Sequence, residues 1–228
     1  MAGRGRSISG DKPKPGAGGG GEISPAKLNP FEGKDSFDGE TFDGLTLERA
    51  DLSGRDFCGC VFRRSKLGES RWTRVRLENC VFESCDLTKA DLTMLSLRGV
   101  AFNSCKLMGV DWTNIAKFPD VSFEDCDLRY VIMDSLALRK TRFERCAITE
   151  SVFAATDLAG AVFEECRFAG TRFENCDLRN AQFPRAQDLF IDPAKNNVKG
   201  ARIPLEAAIL LATSFGMHVL GFTEKDGG

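Results

Sequence analysis

Residues 80–99 read CVFESCDLTKADLTMLSLRG, and counting through them in fives decides the fold. Phe82, Leu87, Leu92 and Leu97 stand five apart, and two residues before each stands Cys80, Cys85, Ala90 or Leu95. The beat runs upstream to Phe37 and downstream to Trp112, then, after one extra residue, from Phe118 to Phe183. It holds for thirty consecutive positions, every one Phe, Leu, Trp, Met or Ile. A period of five fits neither a helix of 3.6 residues per turn nor the two-residue alternation of a strand.

Residues at i−2 and i lie on one side of an extended backbone, so both are expected to point inward. Position i−2 is small or apolar throughout, except at Asp35, Glu40 and Arg55 near the start. Gly or Asn stands at i+2 in twelve repeats, as a corner with positive φ demands. Each repeat is then a short extended side followed by a corner, and four corners close a coil of 20 residues. Two ladders test that period. Every fourth central residue from Phe42 is Phe: Phe42, Phe62, Phe82, Phe102, Phe123, Phe143, Phe163 and Phe183. At i−2 of the next side stand Ser65, Cys85, Cys105, Cys126, Cys146 and Cys166. At a strand spacing of about 4.8 Å, the coils form a rod of roughly 36 Å. The expectation is an all-β solenoid over residues 35–188.

The motifs Ala50-Asp51-Leu52, Cys85-Asp86-Leu87, Ala90-Asp91-Leu92, Cys126-Asp127-Leu128, Thr156-Asp157-Leu158 and Cys176-Asp177-Leu178 resemble the A-(D/N)-L-x-x consensus of pentapeptide repeat proteins. That resemblance implies a right-handed quadrilateral β-helix.

Past Phe183 the beat fails at Pro184 and again around Pro193. Pro204 suits the start of a helix, Leu205 to Phe215 favour one, and Gly216 suits its stop. Leu205, Ala208, Ile209 and Ala212 make an apolar stripe that Leu210, Leu211 and Phe215 widen, more than a surface helix needs. The expected module over 189–228 covers the open end of the core with this helix and meets a second chain with Leu205, Ile209, Leu210, Ala212, Phe215, Met217 and Val219, the last two in a short strand. The arrangement is similar to that of Qnr-type pentapeptide repeat proteins. It implies an antiparallel homodimer that binds DNA gyrase or topoisomerase IV by DNA mimicry and protects it from quinolone-type or natural-product inhibitors. The competing expectation is a protein–protein interaction scaffold without a topoisomerase role.

Composition narrows the chemistry. The 31 Lys and Arg nearly cancel the 33 Asp and Glu, which argues against direct nucleic-acid binding. A mild acidic excess over residues 35–188 fits a DNA mimic, whereas the cluster Arg63, Arg64, Lys66, Arg71, Arg74 and Arg76 opposes it. One His among 228 residues makes His-based metal sites and nucleophilic triads poor expectations. Cysteines in a line one coil apart cannot converge tetrahedrally on zinc. They read as small buried hydrophobes, with only Cys58 facing solvent. No cofactor and no catalytic residue is expected. His218 reads as an interface residue, and Asp86, Asp91, Asp111, Asp127, Asp157 and Asp177 as solvated corner residues and candidates for partner binding. Residues 1–34 are Gly/Pro-rich and read as a disordered tail whose GAGGGG run lacks the context of a phosphate loop. Nine cysteines without an apolar leader point to a reducing cytoplasm, and no run is long enough for a membrane span.

Overall fold

The computed structural model describes residues 30–221, so most of the expected tail lies outside the described residues. The chain winds into a parallel β-solenoid. One face carries β1 (Ser36–Asp38), β3 (Asp56–Cys58), β5 (Arg76–Glu78) and β7 (Ser96–Arg98). A second carries β2 (Thr41–Asp43), β4 (Val61–Arg63), β6 (Val81–Glu83), β8 (Val100–Asn103), β9 (Val121–Glu124), β11 (Arg142–Glu144) and β13 (Val162–Glu164). A third carries β10 (Ile132–Asp134), β12 (Val152–Ala154) and β14 (Arg172–Glu174). Registers such as Phe62↔Phe82 and Phe143↔Phe163 confirm the 20-residue coil, and Phe102↔Phe123 absorbs the extra residue. The remaining sides are isolated parallel bridges at the same spacing, such as Lys66↔Asp86.

All but two of the thirty central residues are buried. Phe62, Phe82 and Phe102 stack nearly parallel at 4.6 and 5.0 Å, and Phe123, Phe143 and Phe163 at 5.0 and 4.6 Å. Position i−2 is buried from Cys60 onward except at half-buried Ala116. The corner geometry exceeds what glycine counts suggest. Every i+2 residue from Gly39 to Arg185 except Asn114 and Asp120 has φ between +46° and +73°, including Tyr130, Met94 and several Arg and Glu. The solenoid imposes this conformation on residues that pay for it individually.

The central residues of the first coil name its sides. Half-buried Leu47 is one exception to burial and lies at the frayed end. The other corrects the expected beat: Phe118 is 76% exposed. Ala116 N–H still reaches Leu95 O (2.8 Å), but Asp120 N–H resumes the ladder at Leu97 O (3.1 Å). Pro119 has no N–H to offer, so the residues between bulge. Pro119 is buried in place of Phe118, whose ring swings out.

The coil also continues past 188. Gln187, Asn197 and Arg202 bridge to Arg167, Asp177 and Gln182, so parallel pairing reaches Arg202. Leu189, Ile191 and Asn196 are buried where the count in fives is lost. Phe31, within the expected tail, is buried.

The cysteines do more than fill space. On many corners the N–H of residue i+3 closes a turn on the carbonyl of i, as Ala90 does on Leu87 O (3.0 Å). On many corners without that bond, the carbonyl takes a hydrogen bond from the coil above. Cys85 Sγ donates to Phe62 O (3.3 Å), Cys105 to Phe82 O (3.4 Å), Cys126 to Phe102 O (3.2 Å) and Cys176 to Phe153 O (3.3 Å). Ser151, Thr156 and Asn196 serve Leu128, Met133 and Phe173 in the same way (2.8–2.9 Å). The same side chains accept from below: Val131 N–H reaches Ser151 Oγ (3.2 Å), Cys176 N–H reaches Asn196 Oδ1 (2.9 Å), and Cys105 N–H serves Cys126 Sγ. The thiols thus satisfy buried backbone groups that would otherwise be costly.

The helix α1 spans Leu205–Ser214 with Pro204 at its N-cap. Gly216 (φ +76°) ends it: its N–H bonds Thr213 O (2.9 Å) and Met217 N–H bonds Ala212 O (3.1 Å), a Schellman stop. The buried side is not the expected stripe. Ala207 and Ile209 are buried and Ala208 is exposed, so Ile209 belongs to the chain's own core. In the single chain, residues 217–219 form no strand.

Candidate functional surfaces

The six candidate aspartates share a local task. At position i−1, each accepts the N–H two residues on: Thr88 to Asp86, Thr93 to Asp91, Thr113 to Asp111, Arg129 to Asp127, Ala159 to Asp157 and Arg179 to Asp177, at 2.8–3.2 Å. These are Asx turns, which steady closed corners everywhere except at Asp127, whose corner is open. They lie on three sides: Asp86 and Asp127 on the Leu47 side, Asp91 and Asp111 on the Leu52 side, Asp157 and Asp177 on the Phe37 side. The bidentate guanidinium of Arg129 holds Asp127 below the usual carboxylate range, and Arg179 does the same for Asp177.

Charge follows the coil. Residues 35–54 carry six acids and one base, 55–74 six bases and two acids, and 75–94 four acids and two bases. Farther along, 116–135 carry five acids and two bases, 136–155 four bases and two acids, and 156–175 four acids and two bases. Alternation puts opposite charges one coil apart, and the side chains meet there. Arg64 pairs with Asp43, Arg71 with Asp51 (3.3 Å) and Asp91 (3.9 Å), Arg63 with Glu83 (2.6 Å) and Arg76 with Asp56 (2.7 Å). Most of the basic cluster is therefore neutralised by the coils above and below it. Arg145 repeats the pattern with Asp125 (2.7 Å) and Glu124 and holds the Asp125 carboxyl below its ordinary range.

A groove of about 660 Å³ on the Leu47 side runs between Glu48, Arg49, Glu69, Asp86, Lys106 and Arg129. Another of about 570 Å³ adjoins it between Asp125, Arg129, Arg145, Arg167 and Asp188. Both mix the two signs. Among the described residues no group of His, Cys, Asp and Glu is placed to hold a metal ion, and no helix is long and apolar enough to cross a membrane.

The thiols are chemically quiet. Burial pushes Cys80 up to about 11, and the neighbouring Cys105 thiol together with burial raises Cys85. Exposed Cys58 is also raised, by loss of water and by Asp38 and Glu78.

The C-terminal module presents the largest apolar exposure. Leu205 is 72% exposed, Phe215 59% and Met217 55%, and Leu210 also faces out. Ala212 and Val219 are half-buried, and His218 is exposed.

The pentapeptide repeat region profile matches residues 55–133 and 116–187. The chain belongs to the pentapeptide repeat family. Among solved structures it is similar to QnrB1, a plasmid-mediated fluoroquinolone resistance protein. For one trypsin-treated form the identity is 20% and the TM-score 0.48, over 82% of this chain and 97% of that one. For full-length QnrB1 the values are 18% and 0.42, over 80% and 100%. HetL, involved in heterocyst differentiation regulation in the cyanobacterium Nostoc sp. strain PCC 7120, is 16% identical at a TM-score of 0.32, over 75% and 90%. A search of curated proteins gave no match.

Proposed function

We propose that the chain is a non-enzymatic protein-binding rod, working in the cytoplasm and paired with a second copy through α1. One observation carries the choice between scaffold and DNA mimic: the alternation of acidic and basic coils. DNA presents an unbroken line of negative charge, whereas this rod ties its carboxylates to arginines one coil away. Mixed charge suits a protein surface, where complementary patches set partner and register. Leu205, Leu210, Phe215 and Met217 form the dimer surface in this reading, and Ile209 supports them from the chain's own core.

Topoisomerase protection is a second reading, favoured by the terminal helix with its outward apolar residues, which suits the antiparallel dimer that the Qnr-type resemblance implies. A gyrase supercoiling assay with a fluoroquinolone and micromolar amounts of this chain separates the two. The scaffold reading expects neither relief of the drug nor inhibition of the enzyme. Concentration-dependent relief overturns it in favour of topoisomerase protection.

A further inference from the structure

The surface changes character where the count in fives breaks. Between Ala116 and Asp120 the chain bulges on the Phe37 side, above Leu97 and below Ala137, whose N–H reaches Lys117 O (3.0 Å). Phe118 is the most exposed large apolar side chain of the coils at 76%. The repeats above and below it contribute Arg98, Arg139 and Lys140, and the bulge adds Lys117. Elsewhere many arginines pair with acids one coil away, as Arg63, Arg64, Arg71, Arg76, Arg145 and Arg185 do. Among the described residues Arg98, Lys117 and Lys140 have no ion pair, while Arg139 reaches Asp157 only at 3.5 Å. A concavity of about 390 Å³ opens beside the bulge, with Pro119, Asp120, Val121 and Ser122 on one wall and Arg139, Lys140, Thr141 and Arg142 on the other. The bulge thus brings together an outward aromatic ring, a hollow and a group of cations of which Arg98, Lys117 and Lys140 lack an ion pair among the described residues.

We infer that the bulge docks a short acidic segment of a partner protein, with an apolar side chain covering Phe118 and carboxylates pairing with Arg98, Lys117 and Lys140. The inference names a partner chemistry for the protein-binding rod and rests on that reading. A single-stranded nucleic acid fits less well. Successive bases need a run of stacking rings, and Asp120 and Asp157 stand beside the cations.

The test uses the full chain and a fluorescein-labelled peptide of alternating Glu and Asp with one central Trp, followed by anisotropy at low salt. Wild-type chain is expected to bind, with affinity falling as salt rises. The double variant Lys117→Glu with Lys140→Glu and the single variant Phe118→Ser are each expected to weaken binding about tenfold or more. Lys66→Glu with Arg167→Glu, the same charge change on the Leu47 side, is expected to leave binding unchanged. All these side chains are exposed, so unchanged melting curves separate lost docking from lost folding. Peptide bound equally by wild type and both bulge variants overturns the site and leaves the protein-binding rod standing. So does absence of binding near ~1 mM, a limit beyond which specific recognition has little meaning. Tighter binding of an oligothymidine of equal charge also overturns it. Relief of fluoroquinolone inhibition overturns the protein-binding reading itself, whatever the peptide does.

Discussion

Replacing Cys126 asks whether the thiol ladder is merely small or is part of the backbone hydrogen bonding. Its Sγ lies 3.2 Å from Phe102 O and 3.3 Å from Glu124 O, sharing its one proton between them, and it accepts from Cys105 N–H. Cys126→Val keeps an apolar side chain of similar size, and Val is already buried at i−2 in Val75, Val100 and Val110. If packing were everything, Val would be close to neutral. It leaves Phe102 O without its donor and Cys105 N–H without its acceptor, each a buried backbone group costing about 1–3 kcal/mol when unpaired. Discounting for the weakness of thiol hydrogen bonds, the expected loss is about 1–3 kcal/mol in total, or roughly 2–10 °C in Tm for a chain of this size. Cys126→Ser keeps donor and acceptor in the slot that Ser65 and Ser151 fill elsewhere, and is expected within about 1 kcal/mol of wild type. Urea titration and calorimetry of the three proteins give the ranking. A neutral valine beside a strongly destabilised serine refutes the ladder and restores the reading of cysteine as a plain hydrophobe.

Phe143→Ala removes the ring stacked between Phe123 and Phe163 and is expected to cost about 3–5 kcal/mol by denaturant unfolding, because neighbouring coils cannot collapse onto the gap. In native protein a thiol reagent such as DTNB is expected to find only Cys58, and slowly, while denaturant releases all nine thiols. Because Cys80 ionises at about 11 when folded and at an ordinary thiol value when unfolded, its contribution to stability is complete below about pH 8.5 and declines above that. Asp125, Asp127 and Asp177 are shifted the other way, so their contribution is present above about pH 4 and disappears as pH falls through their lowered folded values. A Tm profile against pH checks both limbs.

The period and the inward faces were legible because one solenoid coil repeats its chemistry every 20 residues, so Phe42 to Phe183 and Cys85 to Cys166 each announce it. What stayed hidden depended on where hydrogen bonds end. A cysteine at i−2 marks a corner below that has no turn bond, but that rule emerges only once open and closed corners are known. Phe118 looked like another beat because its residue type fits. Proline at the next position, with no ladder N–H, decided otherwise. The coil was expected to stop at 188 because the beat fails at Pro184 and again around Pro193, yet backbone pairing reaches Arg202 without the repeat's consensus. On α1 the uniform apolarity of LEAAILLATS blurred the stripe, so only packing distinguished Ala207 from Ala208. The charge alternation was open to counting by coil, whereas summing over the rod concealed it.

The account centres on a rod that pairs with its own copy through the outward apolar residues of α1. Size-exclusion chromatography with in-line light scattering and small-angle X-ray scattering on the full chain tests it most directly. The 25.0 kDa chain is expected at twice its monomer mass with the scattering of an elongated particle, and Leu210→Asp is expected to return it to monomer with its melting unchanged. A wild-type monomer at micromolar concentration, or a dimer indifferent to Leu210→Asp, contradicts the account.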